Sequence, residues 1–160
     1  MGNLQAWERT LVTVLTLDLA TTTGWAVCAS GIVTSGTISF KSGRYEGGGM
    51  RYLRFRSWLR DMFETVKPEV CYFEEVRRHM STDAAHVHGG LLAVLTAECE
   101  AKEIPYQGIP VGTIKKATTG SGAAKKAAMI EAAKRLYPDQ EIEDDNQADA
   151  LCILHTSKSL

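Results

Sequence analysis

The sequence predicts an α/β domain built on a mixed five-stranded sheet flanked by helices. Three observations lead there. An apolar run from Leu11 to Leu19 is rich in Leu, Val and Thr, the composition of a strand buried on both faces. Two further β-type stretches follow it across short turns. The pattern then switches to helical periodicity and alternates with two more short apolar runs, the signature of a sheet covered by helices.

The elements follow in order. Thr21-Thr22-Thr23-Gly24 is expected to turn the chain. Trp25–Ala29 and Ile32–Phe40 are the second and third strands, joined through Gly31 as an antiparallel meander. Residues 41–49 form a glycine-rich loop. From Met50 to Val66, apolar residues recur at three- and four-residue steps, which makes an amphipathic helix that Lys67-Pro68 ends. Val70–Phe73 is a fourth strand, delivering Glu74 and Glu75 at its end. A Ser-Thr-Asp cluster opens a helix over Ser81–Lys102. Ile104–Ile109 is a fifth strand, placed at an edge by its proline. Lys115–Gly122 is expected as a loop, and Ala123–Tyr137 and Asp145–Thr156 as two closing helices. The order is βββαβαβαα. Residues 1–10 read as a polar lead and residues 11–160 as one domain.

Bulk properties narrow the function. The chain has 160 residues, 44% of them hydrophobic and 23% charged, which excludes disorder and collagen-like structure. Lys and Arg number 18 against 19 Asp and Glu, a net charge of −1. A polyanionic partner must therefore be held by a local patch, not by a bulk field. The four cysteines, Cys28, Cys71, Cys99 and Cys152, form no Cys-x-x-Cys pair and sit in apolar contexts, so buried free thiols are expected, not zinc or disulfide chemistry. No apolar run approaches the ~18 residues a membrane span needs. A cytoplasmic location is expected, the host cytoplasm if the gene is phage-encoded, with no membrane partner.

Three acids stand where elements end or turn inward. Asp18 interrupts an apolar strand, where an unpaired carboxylate would cost several kcal/mol, on the order given for desolvated ions. Glu74 closes another apolar strand. Asp149 sits among Ala148, Ala150, Leu151 and Ile153, with Asp145 and Asn146 four and three residues before it on the same helical face. If they converge, they form an all-oxygen site suited to hard cations such as magnesium or manganese. Two such ions about 3.5–4 Å apart serve phosphodiester hydrolysis. Taken alone, Asp18 is equally well read as a turn acid hydrogen-bonded to nearby threonine amides.

The ordered motifs carry a resemblance. Leu17-Asp18-Leu19-Ala20-Thr21-Thr22-Thr23-Gly24-Trp25-Ala26-Val27 resembles the first motif of the RuvC-type Holliday junction resolvases, and Tyr72-Phe73-Glu74-Glu75-Val76 the second. Ile114-Lys115-Lys116 through Gly120-Ser121-Gly122, with Lys126 following, resembles the family's lysine and glycine loop. Ala148-Asp149-Ala150-Leu151 resembles its closing motif. The compact chain is similar to the phage or prophage branch. The resemblance implies an RNase H-like fold, a homodimer, and paired nicks in four-way DNA junctions. It assigns Asp18, Glu74 and Asp149 to a centre of two magnesium ions, with manganese as substitute, and Lys126 or Lys115 to the developing charge. Two positions depart from the family. Asn146 stands where Asp or His is usual, leaving Asn146 or Asp145 as the further ligand. Arg77 stands where the bacterial enzyme has an aromatic residue near the junction centre.

The net charge hides a division. Arg77 and Arg78 follow Glu74 closely, and Lys115, Lys116, Lys125 and Lys126 flank the Gly120-Ser121-Gly122 turn. These six are the candidate DNA contacts, acting on phosphates more than on bases. Arg44, Arg51, Arg54, Arg56 and Arg60 read instead as a solvated helix face. Tyr45 and Tyr52, flanking the glycine-rich loop, are candidates for DNA contact, whereas Trp58 and Phe63 belong to the core. His86 and His88 lack the i, i+4 spacing of a helical zinc pair and read as surface or interface residues, with His79 isolated. Gly89-Gly90 implies close helix packing, as across a dimer interface, or a helix break.

Alternatives to a junction nuclease are a branched-DNA binding module with a weakened site, motivated by Asn146, and a related nuclease acting on flaps or RNA. An ATP-binding domain of the actin and sugar-kinase type is disfavoured: the chain has room for one such domain and carries no adenosine motif.

Overall fold

The computed structural model describes residues 12–160. The polar lead expected over residues 1–10 and the strand start expected at Leu11 lie outside the described residues. The five described strands are β1 (Val14–Asp18), β2 (Thr22–Ala29), β3 (Ile32–Ser39), β4 (Val70–Glu75) and β5 (Tyr106–Pro110). The described helices are α1 (Gly49–Val66), α2 (Thr82–Ala101), α3 (Val111–Thr119), α4 (Lys126–Leu136) and α5 (Asp145–Ser157). They form one mixed sheet, ordered β3-β2-β1-β4-β5. β1, β2 and β3 make the expected antiparallel meander, and β1, β4 and β5 run parallel. The β2–β3 connection turns on Ser30 and Gly31, both at positive φ, as a two-residue hairpin requires.

The strand period of two assigns each side chain a face. Leu15, Leu17, Leu19, Val27, Cys71 and Phe73 pack with α1 and α2 in one core. Val14, Ala26, Cys28 and Ile109 pack with α3, α4 and α5 in the other. Phe40 joins the first core, with its ring 5.3 Å from Phe55 in an edge-to-face pair and 5.8 Å from Trp58. All four cysteines are buried free thiols, as expected. Trp58 and Phe63 are core residues. Arg54 pairs with Glu46, and Arg60 reaches across from α1 to Glu98, a buried carboxylate of α2.

α5 is the keystone of the second core. Ala148, Ala150, Leu151, Cys152, Ile153 and Leu154 are all buried, so it is a helix covered nearly all round. Its N-terminus is fixed by Asp144, whose carboxylate accepts a hydrogen bond from the Gln147 amide at 2.8 Å. Buried Gln147 donates to Ser35 Oγ at 3.0 Å and to the Glu141 carbonyl at 2.9 Å, tying the same turn to β3. The Thr16 hydroxyl donates to the Ala150 carbonyl at 2.8 Å and fixes the helix along β1.

Several expectations are corrected. The turn expected over Thr21–Gly24 is shorter: Thr22–Gly24 already belong to β2, because Asp18 pairs with Gly24 and Thr22 with Ser39. Thr23 Oγ1 donates to the Ala20 carbonyl at 2.7 Å and tightens the corner. The loop expected over Lys115–Gly122 is helical as far as Thr119, which adds a helix to the predicted order. The missed signal was Ile114 and Thr118, buried one turn apart, with Gly120 at φ 84° closing the helix. Tyr52 packs inward: a Cβ on Gly90 would meet its ring at 2.4 Å. Gly90 thus marks close packing of α1 on α2 within the chain, not a helix break.

Gly24 permits a still closer approach. A Cβ there would lie 1.8 Å from the carbonyl oxygen of Asn146, a backbone atom with nowhere to go. Gly24→Ala is therefore expected to push the first turn of α5 off β2 and to destabilise the fold by about 1–3 kcal/mol or more. Urea unfolding measures this; an unchanged midpoint would contradict the packing.

Candidate active site

Strand parity places two acids on the face that α5 covers. On β1, Val14, Thr16 and Asp18 share that face, and Thr16 already bonds α5. On β4, Cys71 and Phe73 face the other core, so Tyr72 and Glu74 face α5. β1 and β4 run side by side and parallel, so both acids emerge at the same sheet edge. Asp149, next to the bonded Ala150, completes the group.

The electrostatics register this gathering. Burial first, then the charges of Asp149, Glu74, Asp145 and Asp144, hold the Asp18 carboxyl well above the usual carboxylate range. Burial also raises Glu74, opposed by the Lys115 ammonium. Asp149 is pushed up to about 7, by burial and then by Glu74 and Asp145, against the pull of Lys126 and Lys115. Asp145 behaves differently. Lys126 Nζ donates to its Oδ2 at 2.6 Å and keeps it below the usual value.

A cleft of about 210 Å³ opens over this group. Glu74, Asp149, Lys115 and Lys126 line it, above an apolar floor that includes Ile114 and Met129. Two cations thus stand on the wall of an acid-lined cleft. Arg77 and Arg78 line a separate groove with Glu75, Pro110 and Val111, beside the first turn of α3. Lys116 and Lys125 are exposed and line neither. Asn146 lies outside the acid cleft. It lines a neighbouring depression with Thr21, Thr22, His79 and His88. Of the two residues weighed as a further ligand, Asp145 carries the charge that reaches Asp18 and Asp149, and Asn146 faces elsewhere.

The donor chemistry fits a hard divalent cation: all oxygen, partly buried, and mutually repelling until a positive charge is added. Among the described residues, no three His, Cys, Asp or Glu side chains close on one point tightly enough to hold an ion as they stand. The acids form an open set.

Two participants escaped sequence reasoning. His88 is not a surface residue: it is buried, and its Nδ1 lies 3.2 Å from the carbonyl of Leu19, the residue after Asp18. His79 is not isolated, since its ring centroid lies 5.0 Å from that of His88. The available signal was the stripe His88, Leu91, Leu95, Cys99, which puts His88 on the buried face of α2. Tyr45, by contrast, is exposed.

The raised carboxyls have a signed consequence for stability. Asp149 keeps its proton in the folded chain up to about pH 7, whereas the unfolded chain loses it near ~4. Stability is therefore full below that window and falls as pH rises through it, by up to about 4 kcal/mol for this group. His88 and His155, held below the usual histidine range by burial, act in the opposite sense. The difference between wild type and Asp149→Asn cancels the histidine contributions and reports this carboxyl together with its effect on Asp18, which acts in the same direction. In chelator-containing buffer, the variant is expected to gain stability relative to wild type between pH 5 and pH 8, read by urea midpoints. A constant difference across that range would contradict the burial of Asp149.

No family model matches the sequence, and neither does any curated protein. Solved structures do match. Thermus thermophilus RuvC in complex with Holliday junction substrate superposes with a TM-score of 0.77 at 20% identity, covering 91% of this chain and 92% of that one. A second Thermus thermophilus RuvC structure gives 0.74 at 19% identity over the same shares. The yeast mitochondrial Holliday junction resolvase Ydc2 gives 0.63 at 14% identity, covering 92% of this chain and 79% of that one. A five-stranded mixed sheet with acids at adjacent parallel strand ends, facing one buried helix, thus gives this chain the RNase H-like fold of the RuvC resolvases.

Proposed function

We propose that the protein is a magnesium-dependent endonuclease that resolves four-way DNA junctions by paired nicks. The observation that carries this reading is the gathering of Asp18, Glu74 and Asp149 at one sheet edge, opposite Lys115 and Lys126, on a RuvC-like fold. Asp18, Glu74 and Asp149 would hold two magnesium ions, with manganese as substitute and Asp145 as the further oxygen donor. When bound, such ions polarise a phosphodiester and lower the pKa of a water.

The chain's own residues do the rest. Lys115 and Lys126, on the cleft wall, offset the charge that develops on the scissile phosphate. Arg77 and Arg78, in the adjoining groove, position the strand through its phosphates, and Lys116 and Lys125 extend that contact outward. Each chain carries one such group of acids, so two symmetric cuts require two copies, and a homodimer is the natural assembly.

A second reading, a branched-DNA binding module with a weakened site, draws support from the openness of the acid set and from Asn146. Flaps or RNA are the remaining substrate classes. The test incubates wild type and Asp18→Asn with a four-way junction, a linear duplex, a flap and an RNA junction, with magnesium or manganese. Paired nicks in the DNA junction are expected, reduced on the order of 10³-fold in the variant, equivalent to several kcal/mol of lost charge stabilisation. Tight junction binding without cutting would replace the nuclease with the binding module. Preferential cutting of flaps or RNA would reassign the substrate.

A further inference from the structure

The loop between β3 and α1 is rich in glycine, yet it is tied into one shape. The Glu46 carboxylate accepts a hydrogen bond from the Gly43 amide at 2.6 Å and takes the Arg54 guanidinium of α1 at both oxygens. The Glu46 amide in turn donates to the Gly43 carbonyl at 3.1 Å. Arg44 and Tyr45 stand at the tip of this turn, with the guanidinium carbon 5.8 Å from the ring centroid. Tyr45 is 93% exposed.

The loop is cationic. Glu46 is its one acid, and Arg54 neutralises it. Lys41 and Arg44 have no carboxylate partner among the described residues. Gly47, Gly48 and Gly49 then lead into α1. None of the three has positive φ, and a Cβ on any of them would meet nothing within 4 Å. Neither conformation nor packing therefore calls for glycine there. Bare backbone instead lets an anion approach the amides closely, beside a helix N-terminus with no side-chain cap and no acid in its first turn.

Strand order places the loop relative to the acids. β1, β3, β4 and β5 all end at the sheet edge where Asp18 and Glu74 emerge. The Phe40 amide donates to the Thr21 carbonyl at 2.7 Å, so the loop leaves the sheet beside the corner that joins β1 to β2. In the order β3-β2-β1-β4-β5, the loop begins at one end of this edge. The groove of Arg77 and Arg78, which includes Pro110 at the end of β5, lies at the other. With neighbouring strands about 4.8 Å apart, β3 and β5 each stand about 10 Å from β1. Asp18 and Glu74 thus lie between two cationic ends.

We propose that the loop over residues 41–49 is a second backbone clamp, in which Lys41, Arg44 and Tyr45 hold phosphates of a duplex arm on the β3 side of the acids. Two cations, a phenol hydroxyl and accessible amides suit phosphate oxygens and read no base. The inference deepens the junction-nuclease reading and rests on it.

The test measures binding of a four-way DNA junction by Asp18→Asn protein, which leaves the strands intact, between about 50 and 200 mM salt. Lys41→Ala and Arg44→Ala in that background should each lower the slope of log affinity against log salt by about 0.9, and the double variant by about 1.8. Arg56→Ala removes an equal charge from the exposed face of α1 and should leave the slope unchanged. Neutral methylphosphonates at successive phosphates of one arm then locate the contact. At one or two positions they should weaken binding by Asp18→Asn protein but not by the form that also lacks Lys41 and Arg44. An unchanged slope in the double variant, an equal loss in Arg56→Ala, or the absence of any such phosphate would overturn the clamp. If the wild type cuts the junction and the slope does not move, the clamp falls and the nuclease stands. If the slope falls as expected but the wild type binds junction and linear duplex equally and cuts neither, the clamp stands as a duplex contact and the junction reading falls.

Discussion

The fold depends on one close approach. The backbone of Asn146 lies against the bare Cα of Gly24, where even a methyl group would sit 1.8 Å from a carbonyl oxygen. Gly24 pairs with Asp18 across the meander. The contact therefore sets how near the first turn of α5 comes to the end of β1, and so how near Asp149 comes to Asp18. The Thr16–Ala150 hydrogen bond fixes the helix lengthwise and the Asp144 cap fixes its start. Depth, register and origin of α5 are thus each determined by a separate polar or steric constraint. The surrounding apolar core supplies the bulk of the stabilisation.

What that arrangement brings together is unfavourable by itself. Burial holds Glu74 above the usual carboxylate range, and burial with repulsion from neighbouring acids does the same for Asp18 and Asp149. A protein that keeps such a group does so against its own stability, the pattern of sites prepared for a positive ligand. The neighbouring cations do not neutralise the group. Lys126 is engaged by Asp145, and Lys115 acts on Glu74 and Asp149 from the cleft wall. The deepest acid, Asp18, faces mainly carboxylates, with Lys126 the cation whose charge reaches it.

Much of this was legible in the sequence, for physical reasons. A strand period of two and a helical period of 3.6 report faces directly, so the meander, α1, α2 and the strand-end position of Glu74 could be read without coordinates. The acids could be listed, but their convergence could not, because spacing along a chain does not give distance across a sheet. α3 was missed because its lysines and threonines dominate the composition, and only Ile114 and Thr118 report its buried side. Gly24 reads as a turn glycine, since nothing local reveals that a helix far along the chain will press against it. The two-residue spacing of His86 and His88 says nothing of burial, whereas the place of His88 in line with Leu91, Leu95 and Cys99 on α2 does. The choice between Asn146 and Asp145 was likewise closed to sequence. Both share a helical face, and only the Lys126 contact and the separate depression distinguish them.

The central claim is that the three acids act as one cation centre, and calorimetric titration with manganese tests it most directly. At pH 6.5, part of the acid group is still protonated, so binding should release protons and the observed heat should change with the ionisation enthalpy of the buffer. The account predicts manganese binding with proton release in the wild type, and loss of both in Asp18→Asn. Binding that is unaltered by that substitution, or no binding at millimolar manganese, would contradict it.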